Sequence, residues 1–543
     1  MSGERPTDRR HVAVLAGVLL VILAAALVLA KRAPIEHAQM VPVHLQNAHF
    51  NPPPPSPPWS DFAARLWADV SAGDWLQQPL WHGWTPAQNG VLLIALLVML
   101  GVAIDWSKPI SVRNAERAAL LVPGFLLFNV MRFFEVLEDP YYFRLMDLVF
   151  GAIVAVSLGF IALSLWRVRH PPSTLWQPRL SKTTLIVMTA VLLGINVSIV
   201  LATPPDDAGF YTNLGAQRLR ECGKFPYGDP LLTNSAGAGY GPVLYLGHVP
   251  FQVILDPHRV NRSQPTRADL LAGQRYLLPP ELATQLTTLS FHVIGVAALV
   301  TIGATLATAE VGWALAALYC ASAYVMGVGG GRETIGGMTF ISHIAPPAMS
   351  MLAFAFLTRP MLAGGLLVAA SATVFFPALF FPAWLGFYWD RRQELVKFLA
   401  GCVIGTLLIW APAVLLSTPL EGQGVIGTVV RESVGHHQGT DTYGLSTFGF
   451  WGQRGGIRDW FREPFVAGQF TTSPMFLITI GFAAAMFFYA RRSRPWQLAL
   501  LTATIGIISQ WSKIHGTGVY VNWYYPFLLI GLLCAVRDRN SAQ

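Results

Sequence analysis

Long apolar runs recur along the chain, with short polar segments between them. The first covers residues 12 to 30 and contains no charged side chain. At a rise of about 1.5 Å per residue, such a run crosses the hydrocarbon layer of a membrane, which is about 30 Å thick. Further runs lie at about residues 90–104, 118–131, 146–166, 183–203, 285–308, 311–329, 338–357, 398–416, 473–490, 497–511 and 518–536. The pattern predicts an all-α polytopic membrane protein with about twelve transmembrane helices.

The stretch at 361–388 differs from these runs. Gly364-Gly365 and two Phe-Pro pairs, at 376–377 and 381–382, interrupt it. Proline breaks a helix because it lacks the backbone N–H donor and clashes with the preceding turn. We expect a broken, re-entrant helix pair that enters and leaves on one side; a single proline-kinked crossing is the alternative. Non-helical backbone at membrane depth must be buried in protein or line a wet cavity, so the pair favours an internal chamber.

Clusters of lysine and arginine between the runs predict the orientation. They are Arg9-Arg10; Lys108, Arg113 and Arg117; Arg167, Arg169, Arg179 and Lys182; Arg391, Arg392 and Lys397; Arg491, Arg492 and Arg494; and Arg537 with Arg539. Short loops rich in these residues stay in the cytoplasm. With a re-entrant pair at 361–388, all of the clusters share that side. Two long stretches, the first polar segment (about 204–284) and the second polar segment (about 417–472), then face outward.

The chain divides into two predicted parts. Residues 1–180 are expected to form an N-terminal membrane module of four helices, with an external loop that contains the proline-rich run 52–58. Residues 181–543 are expected to form a second membrane domain that carries both polar segments. The first apolar run is interpreted as an uncleaved anchor, because it exceeds the apolar core of a signal peptide, which is about 7 to 15 residues long.

Composition agrees with a membrane protein. Of 543 residues, 53% are hydrophobic and 12% are charged, against roughly 25% charged in soluble domains. The net charge of +8 comes largely from the predicted cytoplasmic clusters, so it indicates contact with anionic membrane lipids and not with nucleic acid. The four cysteines are scattered and predict neither a disulfide framework nor a thiolate metal site.

The first polar segment carries most of the candidate chemistry. It opens with Asp206-Asp207 directly after a predicted span. Asp206 is a natural N-cap, because its carboxylate accepts hydrogen bonds from the free amides of a first helical turn. A helix is then expected from about 207 to 222, ended by Gly223 and Pro226. Asp207, Tyr211, Leu214 and Arg218 would share one face of it.

The order of residues in this segment resembles that of a known family. The aspartate follows a span, Tyr211 comes four residues later, a turn is formed by Gly223 to Tyr227, and Tyr240-Gly241-Pro242 returns to the membrane. This is similar to the first external loop of polyprenyl-phosphate-dependent glycosyltransferases of the C fold, in particular the polyprenyl-phosphomannose-type mannosyltransferases. The resemblance covers about residues 183–537. The family usually has this loop after its first span, whereas here it follows the fifth predicted span.

The resemblance implies a sugar donor carried on a polyprenyl phosphate, and an acidic residue of this loop as catalytic base. Such a base must reach the acceptor hydroxyl, which loses its proton as it attacks the anomeric carbon. Asp207 is the preferred candidate, because Asp206 is occupied as the cap. For this pair taken alone, a helix cap with a solvated neighbour is the alternative.

Fixed cations are expected around the departing phosphate, where negative charge grows. The candidates are Arg332 after three glycines, Lys513 and His515 before the last apolar run, and Arg431 in the second polar segment. An arginine can bind phosphate in a bidentate way, although an ion pair with Glu333 is the alternative for Arg332. No metal or cofactor is predicted. The nearby His436, His437 and Asp441 suit a divalent ion, but solvated loop histidines are the favoured interpretation.

Aromatic residues and one histidine are the candidate substrate contacts. The set is Tyr211, Tyr227, Tyr240, His343, Tyr520 and Trp523. A polar side chain in a span, such as His343, usually faces the bundle interior or a cavity, although a helix-to-helix hydrogen bond also explains it. For Tyr520 and Trp523, an aromatic belt at the membrane interface is the alternative to stacking on a sugar.

Together these features predict an inverting glycosyltransferase of cell-envelope or glycolipid biosynthesis. It would move a sugar from a polyprenyl-phosphate donor to a hydroxyl of a lipid or glycan acceptor. It is expected in the bacterial inner (plasma) membrane, with its active site on the periplasmic or extracellular side. The alternative is a transporter or flippase for a lipid-linked or polar substrate, with a path formed by the broken helix pair and His343. Few charges lie within the spans and the outer segments are long, which favours the enzyme.

Overall fold

The computed structural model describes residues 58–71, 86–126, 140–203, 205, 207–229, 232, 236–257, 279–327, 340–435, 465–467, 470–472, 474–510 and 520–536. Within these ranges the chain is all-α, as predicted, apart from one short antiparallel ladder. In that ladder, β1 (Phe465–Ala467) pairs with β2 (Phe470–Thr472), and Val466 lies opposite Thr471.

Eleven described helices precede the predicted re-entrant pair. They are α1 (Trp59–Ser71), α2 (Pro86–Val98, continued by a π-helix over Met99–Ala103), α3 (Val112–Ala119), α4 (Pro140–Arg169), α5 (Lys182–Ala202), α6 (Asp207–Cys222), α7 (Pro242–Leu255), α8 (Glu281–Leu306), α9 (Ala309–Cys320), α10 (Ala323–Met326) and α11 (Ile341–Ala355). A 3₁₀ turn at Ala236–Ala238 lies between α6 and α7. The predicted first span at 12–30 lies outside the described residues.

The remaining helices include the interrupted stretch. They are α12 (Pro360–Val374), a 3₁₀ turn (Phe376–Phe380), α13 (Phe381–Tyr388), α14 (Arg392–Leu415), α15 (Val425–Val430, followed by a π turn over Arg431–Gly435), α16 (Pro474–Ala490), α17 (Pro495–Ser509), a 3₁₀ turn (Tyr520–Trp523) and α18 (Tyr525–Leu533).

Four helices of the described chain are long and apolar enough to cross a membrane. They are Gly151–Arg169 within α4, then α5, α8 and α14. Several others are apolar but shorter. On α14, the side chains of Val403, Leu407 and Leu408 are 59%, 61% and 71% exposed. Such an apolar outer face is unfavourable in water and suits contact with lipid.

Glycines allow the central helices to approach closely. A Cβ atom added to Gly303 of α8 would lie 2.4 Å from the Cα of Gly312 on α9. A Cβ atom on Gly401 of α14 would lie 1.9 Å from the carbonyl oxygen of Met361 on α12. Small residues at helix crossings are typical of helices that pack within membranes, because they let the backbones touch.

The helices α12 and α13 form a hairpin. The chain turns at Phe375, which has a φ of 59°, a left-handed conformation that a bulky residue rarely adopts. At the open end of the hairpin, the Tyr388 hydroxyl donates a hydrogen bond to the Leu357 carbonyl oxygen at 2.8 Å. The two ends of the stretch are therefore at the same level. The chain turns back at the predicted Phe-Pro break and does not continue as a single kinked helix.

The basic clusters of the described chain gather at one end of the bundle, which we call the basic end. Arg169 donates to the Tyr489 hydroxyl at 3.1 Å, and both Arg491 and Arg492 reach Asp390 at 2.9 Å. Three more contacts join the clusters: Arg167 with Glu116, Arg179 with Asp105, and Arg494 with the Val536 carbonyl oxygen. This shared location is the one expected from the charge pattern. Arg9-Arg10, Arg537 and Arg539 lie outside the described residues.

Candidate functional site

Helix α6 has the predicted bounds. It starts at Asp207, shortly after α5 ends at Ala202, and it ends at Cys222. Gly223 follows with a φ of 66°, a conformation that glycine adopts without strain and that commonly terminates helices. The description of Asp207 covers its backbone only, and Asp206 lies outside the described residues. The structure therefore places the start of α6 where the candidate base was expected, directly beyond α5.

Helix α6 is buried on every face between Tyr211 and Arg218. Tyr211, Leu214 and Arg218, which were expected to share a face, are all buried. On another face, Asn213 accepts a hydrogen bond at Oδ1 from Gln252 of α7 at 2.6 Å and donates to the Pro280 carbonyl oxygen at 2.9 Å. Buried polar groups are usually paired in this way. These bonds fix α6 against α7 and the beginning of α8.

A buried ion pair ties the following loop to α6. Arg218 Nε lies 2.9 Å from Asp229 Oδ2, and the two side chains are only 5% and 6% exposed. Removing one partner of a buried pair leaves the other charge uncompensated, which is costly. The turn at residues 223–229 is thereby fixed on the end of α6.

Tyr227 is fully buried within this loop. Its hydroxyl donates to the Tyr240 carbonyl oxygen at 2.7 Å, and its ring packs edge-on against that of Tyr245 at 6.0 Å. Burial raises the pKa of Tyr227 well above its ordinary value, and the nearby Tyr245 and Glu432 act in the same direction. Tyr227 therefore stabilises the fold of the loop. Tyr240, the other tyrosine of this contact, is partly exposed.

The first polar segment docks onto the beginning of the second. The Gly228 amide donates to the Glu432 carboxylate, and the Thr418 amide donates to the Tyr227 carbonyl oxygen at 3.1 Å. Gly228 has a φ of 72°, and a Cβ atom there would lie 1.8 Å from the Thr418 carbonyl oxygen, so only glycine fits. Glu432 is buried, and no spacing in the sequence distinguishes it from its neighbours. Arg431, a candidate phosphate ligand, is exposed beside it.

Three other candidates lie together deep in the protein. The ring of His343 is 4.5 Å from that of Tyr520, which is 4.2 Å from that of Trp523. Trp523 stacks on Phe376 at 3.7 Å, and its Nε1 donates to the Ser342 carbonyl oxygen at 3.1 Å. We call His343, Phe376, Tyr520 and Trp523 the inner cluster. The inner cluster joins α11, the turn of the hairpin and the turn before α18. Its side chains are buried in the protein, whereas those of an aromatic belt lie at the membrane surface.

The first polar segment returns to the same hairpin turn. The Gly241 amide, at the start of α7, donates to the Thr373 carbonyl oxygen at 2.8 Å. A Cβ atom on Gly241 would lie 2.1 Å from the Ala372 carbonyl oxygen. Since Thr373 precedes the turn that carries Phe376, the Tyr240-Gly241-Pro242 sequence and the inner cluster meet the same hairpin. The sequence indicated these two features separately. The packing shows that both contact the turn between α12 and α13.

A chain of polar side chains continues from the inner cluster into the core. Asn522 Nδ2 donates to the His343 carbonyl oxygen at 3.0 Å and to the Tyr319 hydroxyl at 3.4 Å. Tyr319 stacks on His292, whose Nε2 lies 3.3 Å from Asn196 Nδ2. Sequence reasoning missed Asn196, His292, Tyr319 and Asn522, because isolated polar residues in apolar runs give no spacing signal.

Some buried atoms of this polar chain have no partner among the described residues. They are Asn196 Oδ1, His292 Nδ1 and Asn522 Oδ1. Buried polar atoms normally make hydrogen bonds to protein or to ordered water. Water or a polar ligand group at these atoms would agree with the internal chamber that the broken helix pair favours.

Several candidates fall outside the described residues. They are Arg332, Lys513 and His515, predicted to bind phosphate, and His436, His437 and Asp441, considered for a metal. Among the residues that are described, no three His, Cys, Asp or Glu side chains are arranged to hold a metal ion. No protein family, curated protein or solved structure matches the chain.

Proposed function

We propose that the protein is an inverting glycosyltransferase that uses a polyprenyl-phosphate sugar on the non-cytoplasmic face of a membrane. The observation that carries this proposal is the position of α6. Its first residue, Asp207, lies shortly after the end of α5, a helix long enough to span a membrane. The loop beyond it folds back to the hairpin turn and the inner cluster. The resemblance to the C-fold enzymes rests on residues of α6 and of this loop, namely Asp207, Tyr211, Gly223 to Tyr227 and Tyr240-Gly241-Pro242.

The proposed topology has about twelve spans and one re-entrant pair. It is supported by the gathering of basic residues at one end, since such residues favour the cytoplasmic side. It is also supported by the hydrogen bond from Tyr388 to Leu357, which closes the open end of the hairpin. The hairpin turn then points from the cytoplasmic side toward the first polar segment, which returns to it at Gly241.

The chemistry follows from these positions. The acceptor hydroxyl attacks the anomeric carbon from the side opposite the phosphate. The configuration at that carbon is therefore inverted. Asp207 takes the hydroxyl proton as the new C–O bond forms. The bond from the sugar to the phosphate oxygen breaks, and its electron pair leaves with the lipid phosphate. Arg332, Lys513, His515 and Arg431 are proposed to stabilise that growing charge. Tyr211, Tyr240 and the inner cluster are proposed to bound the space for the sugar and the lipid head.

A transporter or flippase is the second candidate, and one observation favours it. The buried polar chain from His343 to Asn196 enters the core of the helix bundle, as a polar path through a membrane would. Buried charges are few along it, since the chain consists of asparagine, tyrosine and histidine.

One experiment separates the two functions. The purified protein in detergent is supplied with polyprenyl-phosphate mannose and other lipid-linked sugars, and the products are analysed for a new glycosidic bond. Detergent removes any compartment, so transport leaves no product. A glycosylated acceptor and free polyprenyl phosphate support the transferase. Movement of a lipid-linked substrate across sealed liposomes, with no glycosidic bond formed in either preparation, would support the transporter instead.

A further inference from the structure

A polar pocket lies at the basic end, away from the candidate active site. Its lining comes from four parts of the chain: Arg113, Glu116 and Arg117 on α3, Arg167 at the end of α4, Pro172 and Trp176 in the following loop, and Leu532 and Ala535 around the end of α18. The empty space within the pocket and at its open mouth is about 280 Å³, and only a small part of it is enclosed. We call it the arginine pocket.

The charges of the arginine pocket do not balance. Three arginines and one glutamate line it, so the lining carries a net charge of +2 (three minus one). Glu116 is already taken by Arg167, whose Nη2 and Nε atoms lie 2.6 Å and 3.1 Å from its two carboxylate oxygens. Within the described chain, no carboxylate is paired with Arg113 or Arg117.

The two remaining arginines are held by neutral groups. Arg117 is 4% exposed, donates to the Ala103 carbonyl oxygen at 2.8 Å and lies 5.6 Å from the Trp176 ring. Arg113 donates to the Thr174 carbonyl oxygen at 2.9 Å. Burial and the nearby Arg113 lower the pKa of Arg117 to about 10, which still leaves it charged at neutral pH. Like charges four residues apart on a helix repel, so an anion bound between Arg113 and Arg117 would reduce this repulsion.

We propose that the arginine pocket binds the phosphate group of an anionic ligand. Guanidinium groups match phosphate because each presents planar, paired N–H donors. The narrow inner part has room for a group about the size of one water molecule. A phosphate oxygen enters it, while the rest of the head group remains at the mouth. The phosphate belongs either to an anionic lipid of the adjacent membrane surface or to a free phosphate of the aqueous phase.

The test measures ligand binding to the full-length protein. Dioctanoyl phosphatidylglycerol is titrated into the detergent-purified protein and its adducts are counted by native mass spectrometry, with dioctanoyl phosphatidylcholine as the zwitterionic comparison. Arg113→Gln and Arg117→Gln should each weaken phosphatidylglycerol binding by about tenfold or more, since each removes charge-assisted hydrogen bonds. Arg179→Gln is the matched control, because Arg179 is an exposed arginine of the same end, paired with Asp105 outside the pocket.

The outcomes distinguish the two sources. Phosphatidylglycerol binding that depends on Arg113 and Arg117 supports a lipid ligand. Thermal stabilisation by inorganic phosphate with the same dependence, without lipid adducts, supports a free phosphate. Arg113→Gln keeps the test valid if Arg117→Gln fails to fold, because the Arg113 guanidinium contacts only Thr174 among the described hydrogen-bond partners. Binding of neither ligand, or an equal loss in Arg179→Gln, would overturn the proposal. The test measures ligand binding at the arginine pocket only, so none of these outcomes supports or contradicts the proposed glycosyl transfer.

Discussion

The Tyr388 hydroxyl, at the end of α13, donates a hydrogen bond to the Leu357 carbonyl oxygen, just before α12. Thirty-one residues separate the two in sequence, and the chain between them travels into the bundle and back. Without this return, α14 and the helices after it would run in the opposite direction. The orientation of the second polar segment therefore depends on the hairpin.

The first prediction concerns this orientation. Cysteines at Lys224 and at Arg392, both exposed positions, are introduced into a protein whose half-buried Cys222 is replaced by serine. An impermeant maleimide added to intact cells or spheroplasts should label position 224 and not position 392. After the membrane is permeabilised, both should react. Labelling of position 392 before permeabilisation would show that residues 361–388 cross the membrane once.

The second prediction concerns the buried pair of Arg218 and Asp229. Arg218→Met leaves Asp229 buried without its cation, so the free energy of unfolding should fall by about 3 to 5 kcal/mol. Arg179→Met, in the half-exposed pair with Asp105, should leave the Tm nearly unchanged. Thermal unfolding in detergent measures both. The double variant Arg218→Met, Asp229→Leu should recover much of the loss, because no charge then remains buried. Equal, small effects in both single variants would contradict this role.

Local patterns in the sequence predicted part of this architecture well. Gly223 ends α6, and the Phe376-Pro377 break directly follows the turn of the hairpin, because glycine and proline act on the backbone where they stand. The basic clusters correctly predicted that they lie at one end of the bundle. Each cluster is placed by the same local rule, since short loops rich in lysine and arginine stay in the cytoplasm. Such features need no knowledge of tertiary packing.

Long-range contacts could not be predicted in this way. Gly228 and Glu432 are 204 residues apart, and nothing near either residue in sequence indicates the other. Tyr227 was a candidate for contact with substrate, and its burial against Tyr245 depends on how α7 packs. Likewise, an isolated asparagine such as Asn196 looks the same in sequence whether it faces lipid or a histidine.

The third prediction concerns pH. Hydrogen bonds from Arg491 and Arg492 lower the pKa of Asp390 below its ordinary value. A carboxyl group with a lowered pKa in the folded state stabilises the protein above its unfolded pKa, about 3.9, and this stabilisation is lost as the pH falls through the folded value. Wild type should therefore have a higher Tm than Asp390→Asn at pH 6, and the difference should shrink below about pH 4. A difference that grows on acidification would contradict this sign.

The fourth prediction concerns the proposed phosphate ligands. Arg332→Ala and His515→Ala should raise the KM for the lipid-linked donor with little change in the KM for the acceptor. Arg332→Lys should recover only part of the loss, because lysine lacks the planar fork of donors. Arg359→Ala is the control, since Arg359 is exposed near the open end of the hairpin. Unchanged donor kinetics in both alanine variants would leave these residues with structural roles only.

The most direct measurement compares the turnover of wild type, Asp207→Asn and Asp206→Asn with a lipid-linked sugar donor. Asparagine keeps the size of aspartate and loses its basicity, so turnover should fall by about 10² to 10⁴-fold in Asp207→Asn, the usual contribution of a positioned base. Donor binding and the Tm should remain close to those of wild type. Asp206→Asn should lose little, because asparagine caps a helix about as well as aspartate. Near-normal turnover in both variants would contradict the account, because the base would then lie outside this loop.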